Sequence, residues 1–154
     1  MVSGDITYIM DTSSILSQKD DEAHRRSLFR LMWKNIDNLI SEKRIVTCSE
    51  ILEEVNDKEL KTWFKQLTGV VLPIDDEIQE NVRKVVTTNP QLIDFKNVKS
   101  SGDAFLIATA MKYGYTVITE ENKRGEKKIP YVCNNLGISC VDILGLCEQE
   151  GWTF

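Results

Sequence analysis

Tyr8-Ile9-Met10-Asp11-Thr12-Ser13-Ser14 joins a predicted strand to a predicted helix. The run Ile6–Met10 is apolar, β-branched and aromatic, which is typical of a buried strand. The hydroxyl residues after Asp11 are suited to begin a helix. Asp11 therefore follows the first strand at its carboxyl end, where open α/β sheets bind their ligands. A carboxylate at this position can cap the helix or hold a metal ion, and this stretch alone does not decide between the two.

Strands and helices alternate along the rest of the chain. Short apolar runs predict strands at Arg44–Thr47, Thr116–Thr119 and Ile138–Val141, and a strand or extended link at Val70–Pro73. Apolar residues at helical spacing predict helices from Ser49, over Lys58–Leu67 and Asp75–Val86, and over Asp142–Gln149. The small and apolar residues after Gly102 predict a further helix that packs tightly against the sheet and is closed by Gly114. Residues Gln18–Lys43 predict one long helix or two shorter ones, with Leu28 and Leu31 on the apolar face. The alternation predicts an α/β fold with a parallel sheet and helices on both faces.

Length and composition indicate a globular protein. The 154 residues fit one domain with its own core, so we expect a single domain over residues 1–154. No run approaches the ~20 apolar residues of a membrane helix, and no signal peptide opens the chain. We therefore expect a cytoplasmic protein without membrane contact. The four cysteines form no Cys-x-x-Cys pair, which favours buried, reduced thiols over a zinc site.

Charge and histidine content narrow the chemistry. The net charge of −5 argues against broad nucleic-acid binding. It does not exclude a nuclease, because a metal site built from carboxylates is itself acidic. His24 is the only histidine, and its polar neighbours predict a solvated surface side chain. Ser-His-Asp catalysis and two-histidine ribonuclease chemistry are therefore excluded unless His24 serves. No Gly-x-Gly follows the first strand, which excludes a dinucleotide fold, and Ile15 breaks an Asp-x-Ser-x-Ser metal motif.

Four acidic residues occupy equivalent places in the predicted sheet. Asp11 and Glu121 follow strands, whereas Glu54 and Asp103 lie on helices that follow a strand or link. Because these places share one edge of a parallel sheet, the carboxylates would repel each other there. Mg²⁺ or Mn²⁺ would remove the repulsion, since both ions prefer carboxylate oxygens. One or two such ions can activate water and stabilise a phosphoryl transition state.

The acidic motifs resemble those of PIN-domain ribonucleases and stand in that family's order. They are Tyr8-Ile9-Met10-Asp11-Thr12-Ser13-Ser14, Ile51-Leu52-Glu53-Glu54-Val55, Gly102-Asp103-Ala104-Phe105-Leu106-Ile107-Ala108-Thr109-Ala110 and Val117-Ile118-Thr119-Glu120-Glu121. Lys128–Cys133 and the end Gly151–Phe154 are similar to a bacterial and archaeal subgroup close to VapC-type toxins. The resemblance implies a three-layer α/β/α PIN-like fold with a central parallel sheet of about five strands. It also implies Mg²⁺- or Mn²⁺-dependent hydrolysis of RNA phosphodiester bonds by the toxin of a type II toxin–antitoxin system. The implied partners are the RNA substrate and an antitoxin protein, and a second copy of the chain is a further candidate.

Carried over residue by residue, the resemblance implies four catalytic, metal-binding acids, Asp11, Glu54, Asp103 and Glu121. Glu54 matches the second position better than Glu50, which shares its helix face. Ser13 and Thr119 match hydroxyl positions that orient the acids or water. At the fourth position the family usually has Thr-x-Asp, whereas this chain has Thr119-Glu120-Glu121. This departure keeps an alternative open, namely a catalytically silent PIN-like module that binds RNA or a protein.

The most basic stretch, which we call the basic segment, spans residues 122–128. Its cations are Lys123, Arg124, Lys127 and Lys128. Since it directly follows Glu121, we expect it to hold the RNA backbone beside the metal ions. A solvated loop is the other interpretation.

Overall fold

The structure is a computed structural model that describes residues 6–92, 101–125 and 128–154. The strands are β1 (Tyr8–Met10), β2 (Ile45–Cys48), β3 (Val71–Leu72), β4 (Thr116–Ile118) and β5 (Cys140–Val141). The helices are α1 (Thr12–Leu16), α2 (Arg30–Ser41), α3 (Ser49–Glu54), α4 (Lys58–Lys65), α5 (Asp76–Thr88), α6 (Ser101–Tyr113), α7 (Ile129–Leu136) and α8 (Ile143–Glu150). A 3₁₀ turn spans Pro90–Leu92. None of the described helices is long and apolar enough to cross a membrane.

The five strands form one parallel sheet in the order β3-β2-β1-β4-β5. Helices flank the sheet in a three-layer α/β/α PIN-like arrangement, which confirms the predicted fold class. All residues of β1, β2 and β4 are buried, as expected when helices cover both faces of a parallel sheet. The core therefore lies along the central strands, and β1 is its middle.

The strand order reverses at β1, and this reversal positions the site. After β1, the chain adds β2 and β3 on one side and then β4 and β5 on the other. Connections that leave two neighbouring strands in opposite directions open a crevice at their carboxyl ends, where α/β proteins bind ligands. Met10 of β1 pairs with Ile118 of β4. The next residues, Asp11 and Thr119, therefore stand side by side at the crevice.

Helix α6 packs closely on the sheet and on α5, as the small residues of its sequence predicted. Ala104, Ala108 and Ala110 are all buried on it. The helix ends at Tyr113, and Gly114 follows with a left-handed φ of +71°, a conformation that favours glycine. Because α6 begins at the carboxyl edge of the sheet, its first turn brings Asp103 to the crevice.

The predicted helix over Gln18–Lys43 is observed only at Arg30–Ser41. Leu28 and Leu31, which were placed on its apolar face, are 63% and 64% exposed. Side-chain contacts hold the preceding residues in turns instead. Arg26 pairs with Asp37 at 2.7 Å, and the guanidinium of Arg26 also donates to the Gln18 side chain at 2.8 Å. These distant contacts replace a regular helical hydrogen-bond ladder.

His24 lies within this turn region, and the prediction that it is a solvated surface residue was wrong. Its side chain is only 16% exposed, and Nδ1 lies 4.0 Å from Glu120 Oε1. The Trp33 indole N–H donates to the His24 carbonyl at 2.5 Å, and the His24 ring packs against that of Phe29. Contacts with residues distant in sequence thus bury a side chain whose local sequence is polar.

Candidate metal centre at the carboxyl edge of the sheet

Asp11 is buried at the end of β1, with 1% of its surface exposed. Its Oδ1 accepts the backbone N–H of Ser14 at 2.8 Å, so it does cap α1. Ser13 Oγ donates to the carboxylate at 2.8 Å, and Thr119 Oγ1 donates to Oδ2 at 2.5 Å. Burial raises the pKa of Asp11, and the hydrogen bonds from Thr119, Ser14 and Ser13 oppose the rise. Ser13 and Thr119, the two hydroxyl residues that the resemblance implies orient the acids or water, thus both donate hydrogen bonds to Asp11.

Glu54 ends α3 and connects it to α1 and α6. Its Oε2 accepts the Thr12 hydroxyl at 3.1 Å, and its Oε1 accepts the Gly102 backbone N–H at 3.0 Å. Burial raises the pKa of Glu54, the two hydrogen bonds oppose this, and the charges of Asp11 and Glu50 add to it. Glu50 itself lines a neighbouring cleft with Arg83 and Phe105. Glu54, and not Glu50, therefore forms the hydrogen bonds that join α3 to α1 and α6.

Asp103 lies in the first turn of α6. Among the described residues, none donates a hydrogen bond to its carboxylate. Burial first, and then the charges of Glu121, Asp11 and Glu54, raise the pKa of Asp103 to about 8, while Lys128 opposes the rise. A carboxyl group that is hard to ionise and close to three other carboxylates is a place where a cation would bind strongly.

Glu121 and its neighbour Glu120 point to different helices. Glu121 Oε1 accepts the N–H of Ile129 at the start of α7, at 3.0 Å. Glu120 Oε1 accepts the N–H of Ile143 at the start of α8, at 2.8 Å. Burial raises the pKa of Glu121, the Ile129 hydrogen bond opposes this, and the charge of Asp11 adds to it. Of the two glutamates, Glu121 is therefore the one whose charge acts on Asp103.

Four carboxylates from separate parts of the chain thus converge on the crevice, and we call them the acidic cluster: Asp11, Glu54, Asp103 and Glu121. Within residues 6–92, 101–125 and 128–154, no lysine, arginine or histidine forms a salt bridge with them. In the same ranges, no group of three His, Cys, Asp or Glu residues is already spaced to hold one metal ion. The cluster is therefore a concentration of negative charge whose members are held mainly by neutral hydrogen-bond donors.

The basic segment borders the acidic cluster. Lys123 is exposed and pairs with Asp142 at 3.4 Å, and Arg124 is exposed beside it. Lys128 lies close enough to lower the pKa values of both Asp103 and Glu121. Lys127 lies outside the described residues. The described cations thus stand at the rim of the crevice without neutralising it.

Comparison with known proteins gives a family. Residues 8–154 match a family model described as "Domain of unknown function (DUF4411)". The chain belongs to the DUF4411 family. No curated protein matches its sequence.

Solved structures share the fold of this DUF4411 chain. A structure of FitAB bound to an IR36 DNA fragment has a TM-score of 0.55 and 16% identity, covering 89% of this chain and 95% of that one. FitAcB from Neisseria gonorrhoeae has a TM-score of 0.55 and 16% identity, covering 90% and 99%. PAE2754 from Pyrobaculum aerophilum has a TM-score of 0.51 and 11% identity, covering 96% and 98%. The resemblance to PIN-domain proteins is confirmed at the level of the fold.

Two residues of the DUF4411 site were not found from the sequence. A Cβ on Gly102 would lie 2.2 Å from Glu54 Oε1, so the glutamate occupies the space that any other side chain would need. Thr12 holds the second oxygen of the same carboxylate. The glycine directly before Asp103 was a signal for close approach, but the approaching group comes from 48 residues away.

Proposed function

We propose that this DUF4411 protein is a metal-dependent endoribonuclease that hydrolyses RNA phosphodiester bonds, and that it is the toxin of a type II toxin–antitoxin system. The observation that carries the proposal is the acidic cluster at the strand-order reversal. Burial first, and then the charges of the other three carboxylates, raise the pKa of Asp103 to about 8. Carboxylates that serve only folding are usually paired with cations or solvated. Asp11 is neither, and Asp103 is only partly exposed and forms no salt bridge within the described residues.

The donor set fits Mg²⁺ or Mn²⁺. Carboxylate oxygens are the ligands these ions prefer, whereas zinc sites use histidine and thiolate ligands. Asp11, Glu54, Asp103 and Glu121 would hold the ion or ions. When bound, such ions supply an activated water and neutralise charge on the phosphoryl group. Glu54 and Glu121 accept hydrogen bonds from the backbone N–H groups of Gly102 and Ile129, respectively. To bind an ion, each carboxylate would have to use its other oxygen or give up this hydrogen bond.

The surrounding residues would organise this site without reacting themselves. Thr119 and Ser13 donate to Asp11 and fix its orientation. Thr12 and Gly102 fix Glu54 in the same way. Asp103 has no donor within the described part of the chain, which leaves its oxygens available to a cation. His24 sits beside Glu120 instead, so this arrangement requires no histidine in the reaction.

Two further observations support the proposed partners. The basic segment at the rim would attract the phosphate backbone of RNA, and FitAB, which shares the fold, was solved bound to a DNA fragment. Leu28, Phe29 and Leu31 are exposed at the start of α2, and exposed apolar side chains are a feature of protein interfaces. An antitoxin, or a second copy of the chain, would cover such a surface.

A catalytically silent module that binds RNA or a protein is the second candidate. The observation in its favour is the fourth acidic position. There Glu121 stands where the family pattern has aspartate, and its Oε1 is occupied by the Ile129 N–H. In that case the module would bind RNA or a protein partner without cleaving RNA.

Cleavage assays with the purified chain separate the two candidates. We expect Mg²⁺ or Mn²⁺ to be required for cleavage of single-stranded RNA, and both Asp103→Asn and Glu54→Gln to abolish it. Asp21→Asn, at an exposed carboxylate outside the crevice, is the matched control and should retain activity. If no RNA is cleaved with either ion while RNA or protein binding persists, the silent module is correct. Growth arrest upon expression, lost with Asp103→Asn, would support the toxin assignment.

A further inference from the structure

A cavity of about 430 Å³ adjoins the acidic cluster on the side of β4 and β5. Its size is typical of sites that bind a small molecule or one unit of a polymer. Thr119 forms part of its wall, and the hydroxyl of the same Thr119 donates to Asp11 Oδ2 at 2.5 Å. The cavity is therefore separated from the acidic cluster by a single side chain.

The lining combines apolar and polar side chains. Pro130 and Tyr131 at the start of α7 line the cavity together with Ile138 and Val141. Asn134, one turn further along α7, is exposed, and within the described residues its side-chain amide has no hydrogen-bond partner. A nucleobase has the matching chemistry, because it offers a π face for an aromatic ring and a donor and acceptor edge for an amide.

The rim of the cavity is suited to a phosphate. Asp142 Oδ1 is occupied as the cap of α8, where it accepts the Gly145 N–H at 2.7 Å. Its Oδ2 lies 3.4 Å from Lys123 Nζ. Lys123 thus offsets the carboxylate that would otherwise repel a phosphate at this rim, and its exposed ammonium remains accessible to one.

We propose that this cavity binds the base of the nucleotide next to the cleaved bond. The proposal rests on the nuclease function proposed above and adds a binding site for one base of the RNA. A base inside a duplex is stacked on both faces and paired along its edge, so it can enter a cavity only after leaving the helix. A strand with its base in the cavity and its phosphate at Lys123 would run directly past Thr119 to the acidic cluster.

Binding is tested first, without cleavage. Each of the four nucleoside 5′-monophosphates is titrated into the protein, and backbone N–H resonances are followed by NMR. We expect saturable shifts at Asn134 and Gly145 for at least one nucleotide. Tyr131→Ala should weaken binding about 5- to 100-fold, the range for loss of one stacked base, and Asn134→Ala about 2- to 10-fold. The matched controls are Tyr113→Ala and Asn38→Ala. Tyr113 is an exposed tyrosine at the carboxyl end of α6, away from Asp103, and Asn38 lies on α2.

Cleavage then tests whether a base in the cavity contributes to the reaction. One RNA sequence is offered as a single strand and as a perfect duplex, with its cleavage site first mapped on the single strand. We expect kcat/KM at least tenfold higher for the single strand, and a comparable loss when the nucleotide beside the cleaved bond is made abasic. Tyr131→Ala should remove most of the sensitivity to the abasic change. Because Tyr131 is partly buried, thermal melts of Tyr131→Ala check that this variant is folded. If it is not, Asn134→Ala, at an exposed position, still tests the cavity.

The outcomes separate this proposal from the function beneath it. Cleavage that is indifferent to strand pairing, to the abasic change and to Asn134→Ala overturns the base cavity while leaving the nuclease in place. Nucleotide binding that depends on Tyr131 and Asn134 without any cleavage supports the cavity and refutes the nuclease. No nucleotide binding in the cavity overturns the proposal, as does an antitoxin peptide that shifts Asn134 and Gly145 where nucleotides do not.

Discussion

Replacing Asp103 with asparagine should stabilise the metal-free protein. The pKa of Asp103 rises from an ordinary value of 3.8 to about 8, and at 1.36 kcal/mol per unit this shift corresponds to a ceiling of roughly 6 kcal/mol. Asp103 keeps partial contact with solvent, and screening reduces the recoverable energy to about 1–3 kcal/mol. The charge also lies in the first turn of α6, where the helix dipole favours it by about 0.3–1 kcal/mol. The repulsion and desolvation are the larger effect, so the variant should gain about 1–2 kcal/mol at pH 8.

The pH dependence of this gain follows from proton linkage. The folded-state pKa of Asp103 lies above its unfolded value, so the folded protein binds more protons than the unfolded chain between the two values. The contribution of this group to wild-type stability is therefore fully present below about pH 4 and is lost as the pH rises to about 8. The difference in the free energy of unfolding between Asp103→Asn and wild type should then vanish near pH 4 and be largest above pH 8.

Chemical denaturation from pH 4 to pH 9 in a chelator measures the stability gain of Asp103→Asn and its pH dependence. The same experiment is then repeated with Mn²⁺. Saturating Mn²⁺ at a hundred times its dissociation constant should stabilise the wild type by about 2.7 kcal/mol. Most of this gain should be lost in the variant, which lacks a ligand, so the two proteins should change rank. Asp21→Asn, at an exposed position, should show neither effect. If Asp103→Asn is less stable than wild type in chelator at pH 8, and Mn²⁺ stabilises neither protein, then Asp103 is a helix-capping residue and the metal site does not exist.

Three other perturbations test separate parts of the structure. Gly102→Ala should lower the free energy of unfolding by about 1–3 kcal/mol and weaken metal-induced stabilisation, because its Cβ would lie 2.2 Å from Glu54 Oε1; unchanged melts with and without Mn²⁺ would contradict this. Arg44→Met should lower the free energy of unfolding in urea by about 3–5 kcal/mol, because it leaves the 4% exposed side chain of Glu150 without its cation. Arg83→Met, which removes an exposed ion pair, is the control and should lower it little. Alanine at all four cations of the basic segment should weaken RNA binding and shallow its log–log salt dependence by roughly one unit per lost phosphate contact, and an unchanged slope would assign the segment to solvent.

The order and type of most elements followed from local patterns. The buried strand before Asp11, the helix that begins at Ser49 and the helix closed by Gly114 all appear where the sequence predicted them. Prediction of secondary structure from local sequence failed where contacts between distant residues determine the backbone conformation. The turns before Arg30 are held by side-chain contacts such as that between Arg26 and Asp37. Helix α7 was not predicted as a helix, although its proline lies in the first turn and a left-handed glycine ends it, both ordinary helix-end signals.

Local sequence patterns were enough to identify the side chains of the candidate site, because motif order and strand-end position depend on residues close together in the chain. They placed Asp11, Glu54, Asp103 and Glu121 at one edge of a parallel sheet, and the structure brings them to that edge. How each carboxylate is held depends on long-range contacts. The donors come from far away in sequence, 108 residues for Thr119 to Asp11 and 48 for Gly102 to Glu54. Such contacts depend on how the strands are ordered and how closely the helices approach, and no local pattern of hydrophobicity or turn residues encodes those distances.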